Sequence, residues 1–253
     1  MSNIHPTAVV SSKAEIDTDV KIGPYSVIEA DVVIQSGTEI GPHCVLHSFV
    51  RLGKNNQLHA QVVIGGLPQD LSFSGEETWV EMGDENIIRE NCTVHRSTNP
   101  DMPTKLGSKC YLMSYSHVAH DCCLGDEVIL TAYVGLSGHI EIGDKAILGG
   151  HVGTHQFIRI GKMSMIAGFT PVRKDVLPFS LLGGDPVRHM RLNTIGLRRS
   201  GIKGEQYKKL EKVFRHLREG GSIEEQQGTP EIDYLREWML VPSKRGIYGF
   251  LKA

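Results

Sequence analysis

Aromatic residues supply only 6% of this 253-residue chain, so a core built on large rings is excluded and Val, Ile, Leu and Ala must fill it. No apolar run approaches the ~20 residues of a membrane span. The N-terminus also lacks a basic stretch followed by an apolar run of about 7–15 residues, which excludes a secretory signal. The chain therefore reads as a cytoplasmic protein without stable membrane insertion. The five cysteines are odd in number and form no Cys-x-x-Cys pair, which argues against a disulfide framework or a zinc ribbon. Neither sign of charge dominates, at a net −2, and with 40% hydrophobic and 22% charged residues the chain is not disordered. Charge is nevertheless uneven. Residues 186–218 hold ten Lys or Arg against Glu205 and Glu211, a local +8 that implies −10 elsewhere. Such a segment is either a solvated face or an attractor of phosphate, nucleic acid or an acidic protein.

What the chain has is a six-residue period. Stepping by six from Ile4 lands on Val10, Ile16, Ile22, Ile28, Ile34, Ile40, Leu46, Leu52, Leu58 and Ile64 without an exception. The step resumes at Met82, Ile88 and Val94, and again from Leu106 to Val172, with Thr154 the one departure. Four places after the aliphatic residue lies mostly a small or apolar one, and Cys44, Cys92, Cys110 and Cys122 share this phase, which reads them as core thiols. A period of six fits neither a helix nor a long strand. It fits short strands joined by turns that use Gly, Asn or Asp where a positive φ is needed. The predicted architecture is a parallel β-helix of three hexads per coil, with residues 18 apart stacked one above another. The repeat [Leu/Ile/Val]-Gly-x-x-x-x resembles the hexapeptide acyltransferase superfamily, and that resemblance implies left-handed coils. The same fold also serves a class of carbonic anhydrase and scaffold proteins.

The predicted fold class is thus an all-β left-handed parallel β-helix over residues 1–177, with a mainly helical C-terminal domain over 178–253. Two excursions, 66–80 and 96–105, break the period, and insertions in a solenoid commonly carry function. In the extension, 203–219 places Tyr207, Leu210, Val213, Phe214 and Leu217 on one helix face. Thr229-Pro230 opens a second helix, and Ser222 with Glu225 suggests a capping box between them.

Twelve histidines is a high count, and His117, His120, His139, His151 and His155 fall in one part of the helix. Adding 18 to 120 gives Gly138, beside His139, and adding 18 again gives Gln156, beside His155. A single histidine in a repeat is most simply structural, but a stacked group points to a site. One chemistry uses a histidine as general base toward a sugar hydroxyl or amine, with a backbone N–H stabilising the oxyanion. A second places a transition metal on three histidines, and His117-x-x-His120 has suitable spacing, although Gln and Gly stand where further ligands would be welcome. A third, a non-catalytic scaffold, has no use for the histidine column.

Several motifs run in order along the chain: Pro68-Gln69-Asp70-Leu71-x-Phe73-x-Gly75-Glu76, Arg89-Glu90, Val94-His95-Arg96, Ser116-His117-Val118-Ala119-His120-Asp121-Cys122, Gly153-x-His155-Gln156-Phe157 and Asn193-x-x-Gly196-Leu197-Arg198-Arg199. Together they resemble the UDP-N-acetylglucosamine O-acyltransferase family of lipid A biosynthesis over essentially the whole chain. The resemblance implies transfer of a 3-hydroxyacyl chain from acyl carrier protein to the sugar 3-position of UDP-GlcNAc, by a homotrimer with sites between subunits. It implies no cofactor beyond the carrier's phosphopantetheine, no metal and no nucleic-acid partner. By the same resemblance His120 is the general base, Asp121 assists it, Gly138 N–H faces the oxyanion and His139 orients the reactants. Asp70, His95, His117, Gln156, Asn193 and Arg199 bind sugar or nucleotide with His155 close by, and Gly168 falls at the acyl-chain ruler. The chain departs from the family pattern at Ser72, where Lys is expected in the substrate site, and at Ile195, where Glu is expected. These departures keep a 3-amino sugar, UDP-GlcNAc3N, open as the acceptor.

Overall fold

The computed structural model describes residues 3–251. Among them, short strands stack into three sheets of eleven, nine and eight strands, parallel but for the last strand of the first, which form the three faces of a left-handed β-helix. One coil runs through Lys21–Ile22 on the first face, Val27–Ile28 on the second and Val32–Ile34 on the third. Coils pair at an offset of 18, as in Asn3↔Lys21 and Ile28↔Leu46, so the hexad aliphatics stack in the core, as their period predicts. The in-phase cysteines close gaps at the corners. Their buried thiols donate to carbonyls of the neighbouring coil, Cys44 to His59 O at 3.0 Å and Cys122 to Ser137 O at 3.2 Å.

The turns depart from the expected chemistry. The left-handed turn position recurs every six residues, and Tyr25, His43, Tyr115, Tyr133, His139, His151, Phe157 and Phe169 occupy it with φ between 56° and 64°. Only a minority of these positions are Asn or Asp. Left-handed backbone costs an L-residue about 1–2 kcal/mol, which ring stacking between coils offsets. Tyr115 and Tyr133 lie 5.0 Å apart at 1°, and Tyr133 and His151 4.8 Å apart at 7°. The glycine after the aliphatic serves another purpose: a Cβ on Gly107 would lie 2.6 Å from the backbone of Gly125 on the neighbouring coil. Close approach of coils, not positive φ, demands glycine there.

Both excursions leave the second face and return on the third, and therefore project from the corner between those two faces. One joins Val63–Gly66 to Val80–Met82 and the other joins Thr93–His95 to Thr104–Leu106. The offset rises to 30 at Val50↔Val80 and to 24 at Met82↔Leu106, so the excursions add twelve and six residues, whole hexads that leave the phase intact.

The C-terminal boundary differs from the sequence reading. Residues 178–192 are not helical: Ser180–Gly183 continues the first face by pairing with Met165–Ile166, and Arg188–Leu192 folds back antiparallel to close the stack. This hairpin satisfies the last edge of the sheet, a demand that the hexad pattern does not encode. Helices α1 (Thr194–Arg199), α2 (Gly204–Arg218) and α3 (Pro230–Leu240) follow. Helix α3 is capped by Thr229, while Ser222 and Glu225 lie outside any helix and form no capping box. Leu210, Val213, Phe214 and Leu217 of α2 join Leu177, Phe179 and Leu235 in a second core. Arg159 ties this unit to the β-helix, pairing with buried Asp175 at 2.8 Å and stacking on Trp238 at 4.4 Å.

Candidate active site

The corner that carries both excursions also carries His120, Gly138 and Gln156, one coil apart and each two residues past its inward hexad position, Val118, Leu136 and Thr154. His120 is buried, and its Nδ1 lies 2.6 Å from Asp121 Oδ2. An ionised carboxylate only accepts, so Nδ1 carries the proton and Nε2 presents a lone pair. Among the described residues Nε2 makes no hydrogen bond; Asp70 Oδ2, on the first excursion, stands 3.8 Å away. His139 meets the His120 ring edge to face at 5.2 Å, with its Nε2 3.7 Å from Asp121 Oδ2. Burial lowers the His139 pKa, so this ring is neutral near pH 7 although Asp121 pulls the other way.

Asp121 occupies the left-handed turn position, which swings its side chain into the second excursion. Ser97 Oγ–H and Thr98 N–H donate to its Oδ1, and Thr98 Oγ1–H donates to Oδ2 at 2.8 Å. Burial raises the pKa of this carboxyl, but the hydrogen bonds outweigh it and the net shift is downward, so Asp121 is ionised. With His120, four donors fill the roughly four lone-pair directions of a carboxylate. His120, Asp121 and His139 have ligand atoms within 4.8 Å of one another, a metal-compatible spacing. Asp121 nevertheless has no lone pair left for an ion. His117, half of the predicted metal pair, instead bonds Thr93 at 2.7 Å and packs edge to face on His95.

Gly138 is buried against His120, and a Cβ there would sit 2.4 Å from the ring Cε1. Its N–H donates no hydrogen bond among the described residues. Four coils earlier, the N–H in the same position, that of Ser48, donates to the carboxylate of Glu29 at 2.9 Å, so this turn aims its N–H at an anion.

The other predicted residues divide. On this corner and the face beside it lie Asp70, Ser72, His95, His117, His155 and Gln156. Ser72, although exposed, turns back on its own loop: its N–H and hydroxyl both bond Asp70 Oδ1, at 2.8 and 2.7 Å, and these bonds lower the Asp70 pKa. Burial drives His95 down to about 4, leaving a neutral ring whose Nδ1 is buried without a partner. His117 is shifted downward by the same cause. Asn193, Arg199 and Gly168 are not brought here within one protomer. Asn193 caps α1 by accepting from Gly196 N–H and bonds Met163 O, on the corner between the third and first faces. Arg199 is exposed at the end of α1, and Gly168 lies on the corner between the first and second faces.

Other contributors escaped the sequence reading. Ser97, Thr98 and Thr104 have no periodic signature, because they lie where the period fails. Phe157 stacks on His139 at 4.5 Å, and Lys244 lies 4.8 Å above Phe157. Arg245 donates to Gln156 O at 3.0 Å. Lys244 and Arg245 reach the corner only through the tertiary fold, and no local pattern marks them.

A left-handed β-helix with a buried His–Asp pair and a buried, unbonded N–H on one corner defines a hexapeptide-repeat acyltransferase. Residues 175–248 match the model of UDP-N-acetylglucosamine O-acyltransferase, domain 2. Acyl-(acyl-carrier-protein)–UDP-N-acetylglucosamine O-acyltransferases are similar over nearly the full length. That of Sulfurihydrogenibium sp. is 51% identical across 98% of this chain and 94% of its own, and that of Psychrobacter sp. 44% identical across 98% and 99%. The UDP-N-acetylglucosamine acyltransferase structure from Bacteroides fragilis superposes with a TM-score of 0.92 at 34% identity, over 96% of this chain and 98% of that one. The chain belongs to the UDP-N-acetylglucosamine O-acyltransferase family.

Proposed function

We infer that this enzyme transfers a 3-hydroxyacyl chain from acyl carrier protein to the 3-hydroxyl of UDP-GlcNAc, the first step of lipid A biosynthesis, with His120 as general base. The observation that carries the assignment of the base is the buried imidazole fixed by Asp121 at Nδ1, its Nε2 lone pair free beside Asp70. As the sugar oxygen attacks the thioester carbonyl, Nε2 takes its proton. The imidazolium is stabilised by Asp121, and the tetrahedral oxyanion faces Gly138 N–H. Collapse breaks the carbon–sulfur bond, and His120 returns the proton to the departing phosphopantetheine thiolate. The balance closes without a cofactor or metal.

Asp70, His95, His117, His155 and Gln156 line the acceptor side, with Ser72 acting through Asp70. Neutral His95 and His117 hydrogen-bond hydroxyls without repelling His120 as it gains charge. Asn193, Arg199 and Gly168 lie on other corners, so their part in this site requires a neighbouring copy, which supports a homotrimer with shared sites. Arg199 then meets the diphosphate, and exposed Lys208, Lys209 and Arg215 on α2 meet the acidic carrier protein. No helix among the described residues is long and apolar enough to cross a membrane. A cytoplasmic enzyme fits a carrier-bound donor and a nucleotide-sugar acceptor.

The acceptor is tested by competing UDP-GlcNAc with UDP-GlcNAc3N at subsaturating concentrations and analysing products by mass spectrometry. A base-labile ester in excess is expected. A predominant amide stable to mild base would transfer the same machinery to the amino sugar. For the donor, a Cβ at Gly168 would meet Gly150 O at 3.1 Å. The wild type should accept chains of about fourteen carbons and Gly168→Met shorter ones; a ten-carbon preference in the wild type would remove Gly168 as the ruler.

A further inference from the structure

The second excursion adds one hexad to the coil, and both of its ends converge on a single residue, Asp121: its start holds the carboxylate and its end holds the backbone N–H. At its start, Ser97 hydroxyl and Thr98 N–H reach Asp121 Oδ1, and Thr98 hydroxyl reaches Oδ2. At its end, Thr104 Oγ1 accepts from Asp121 N–H at 2.8 Å. Ser97 Oγ accepts from Asn99 N–H at 2.9 Å, and of the two acceptors within reach of its proton, Asn99 O at 3.1 Å and Asp121 Oδ1, the carboxylate is the nearer and the charged one. The excursion is itself gripped at its base: Trp79 O, where the first excursion ends, accepts from Ser97 N–H at 3.5 Å and Thr104 N–H at 3.0 Å. Each oxygen of the carboxylate thus accepts two hydrogen bonds, Oδ1 from Ser97 and Thr98 N–H and Oδ2 from Thr98 hydroxyl and His120.

We propose that the second excursion is a clamp, in which Ser97, Thr98 and Thr104 are positioning residues that lock the rotation of Asp121 and thereby fix the Nδ1–H tautomer of His120. A carboxylate held at two points by one loop has a single orientation in which Oδ2 meets Nδ1 at 2.6 Å. Released, it swings toward solvent, the imidazole loses its orienting acceptor, and the Nε2–H form, which cannot take a proton, becomes populated. Loop insertion here selects the tautomer of a base on the neighbouring coil. The proposal rests on His120 being the base.

The test compares Ser97→Ala/Thr98→Val with Thr98→Ser, in the wild-type and His120→Ala backgrounds. It uses turnover, KM for UDP-GlcNAc, thermal melting and ¹⁵N NMR of His120. In the wild-type background the double variant should lower kcat about 10-fold to 10²-fold, keep KM within about twofold and show Nε2–H signal absent from the wild type. Thr98→Ser, which keeps both donors, should match the wild type in tautomer and turnover. On His120→Ala the double variant should cost nothing further, since the clamp acts only through that ring. An unchanged tautomer, an equal loss on His120→Ala, or a Thr98→Ser defect as deep as that of the double variant would each overturn the clamp. Should the double variant melt early, Thr98→Val alone, which keeps the backbone donor, gives the same readouts. Near-wild-type turnover of His120→Ala would instead overturn the base assignment, a result visible before any clamp variant is made.

Discussion

Two corners of this solenoid share a backbone and differ in everything else. On the corner between the first and second faces, the left-handed turn position holds Tyr115, Tyr133, His151 and Phe169 in one continuous stack, exposed and without polar partners beyond the chain's own turns. On the corner between the second and third faces the same position begins the same way, with Phe157 stacked on His139. The next rung is Asp121, at φ 59°. The stack stops, and a carboxylate enters a loop that the other corner lacks. The fold thus supplies identical frames at each corner, and chemistry arises where a hexad-long insertion gives the turn residue something to bind.

Changes on the second corner should therefore affect turnover, and changes to the aromatic stack and its frame on the first, away from Gly168, should affect stability. The largest effect is expected from His120→Ala, which should lower kcat by about 10²- to 10⁴-fold while melting within a few degrees of the wild type, because removal of a general base leaves the frame intact. Retained turnover would erase the distinction between the corners. Next is Gly138→Ala, whose Cβ would lie 2.4 Å from His120 Cε1. The ring must move, and turnover should fall about 10²-fold. Gly150 has the same place on the first corner, where a Cβ meets Ala132 O at 3.5 Å and Thr131 Oγ1 at 3.8 Å, both ordinary contacts. Gly150→Ala should change stability by less than about 1 kcal/mol, as read by urea titration.

Away from both corners, reversing Lys208, Lys209 and Arg215 on α2 to Glu should raise the KM for acyl carrier protein about 10-fold at low salt and flatten its dependence on ionic strength. An unaltered KM would make α2 a solvated face. On stability alone, Tyr133→Ala should cost more than Gly150→Ala, because it removes two stacking contacts worth about 0.5–1.5 kcal/mol each. Chemical denaturation should register that loss, and a variant as stable as the wild type would mean that the stack does not offset the left-handed turn.

Much of this was legible in the sequence because the period itself is geometry. A step of six with an 18-residue coil places His120, Gly138 and Gln156 in one column and buries the four in-phase cysteines before any coordinate is known. Turn occupancy was not legible: that Tyr, His and Phe hold the left-handed position depends on stacking between coils, a cooperative term that single-residue preferences miss. The residues that hold Asp121 were hidden for the opposite reason, since Ser97, Thr98 and Thr104 lie where periodicity ends and loop conformation is set by its contacts. Asn193 reads as a ligand from its motif, yet within one chain it is a helix cap, and a sequence of one chain does not show what a second copy brings to it.

The two excursions extend the coil by twelve and six residues, and the core aliphatics on either side remain in phase. Each coil that bears an excursion still places a strand on each of the three faces, so a loop that leaves and re-enters at this corner stays outside the core column. A one-residue change inside a hexad would turn the aliphatics of its coil away from the core, whereas the same change inside a projecting loop leaves them in place. An engineer wishing to resize the acceptor pocket should therefore cut or splice the loops and leave the hexads whole.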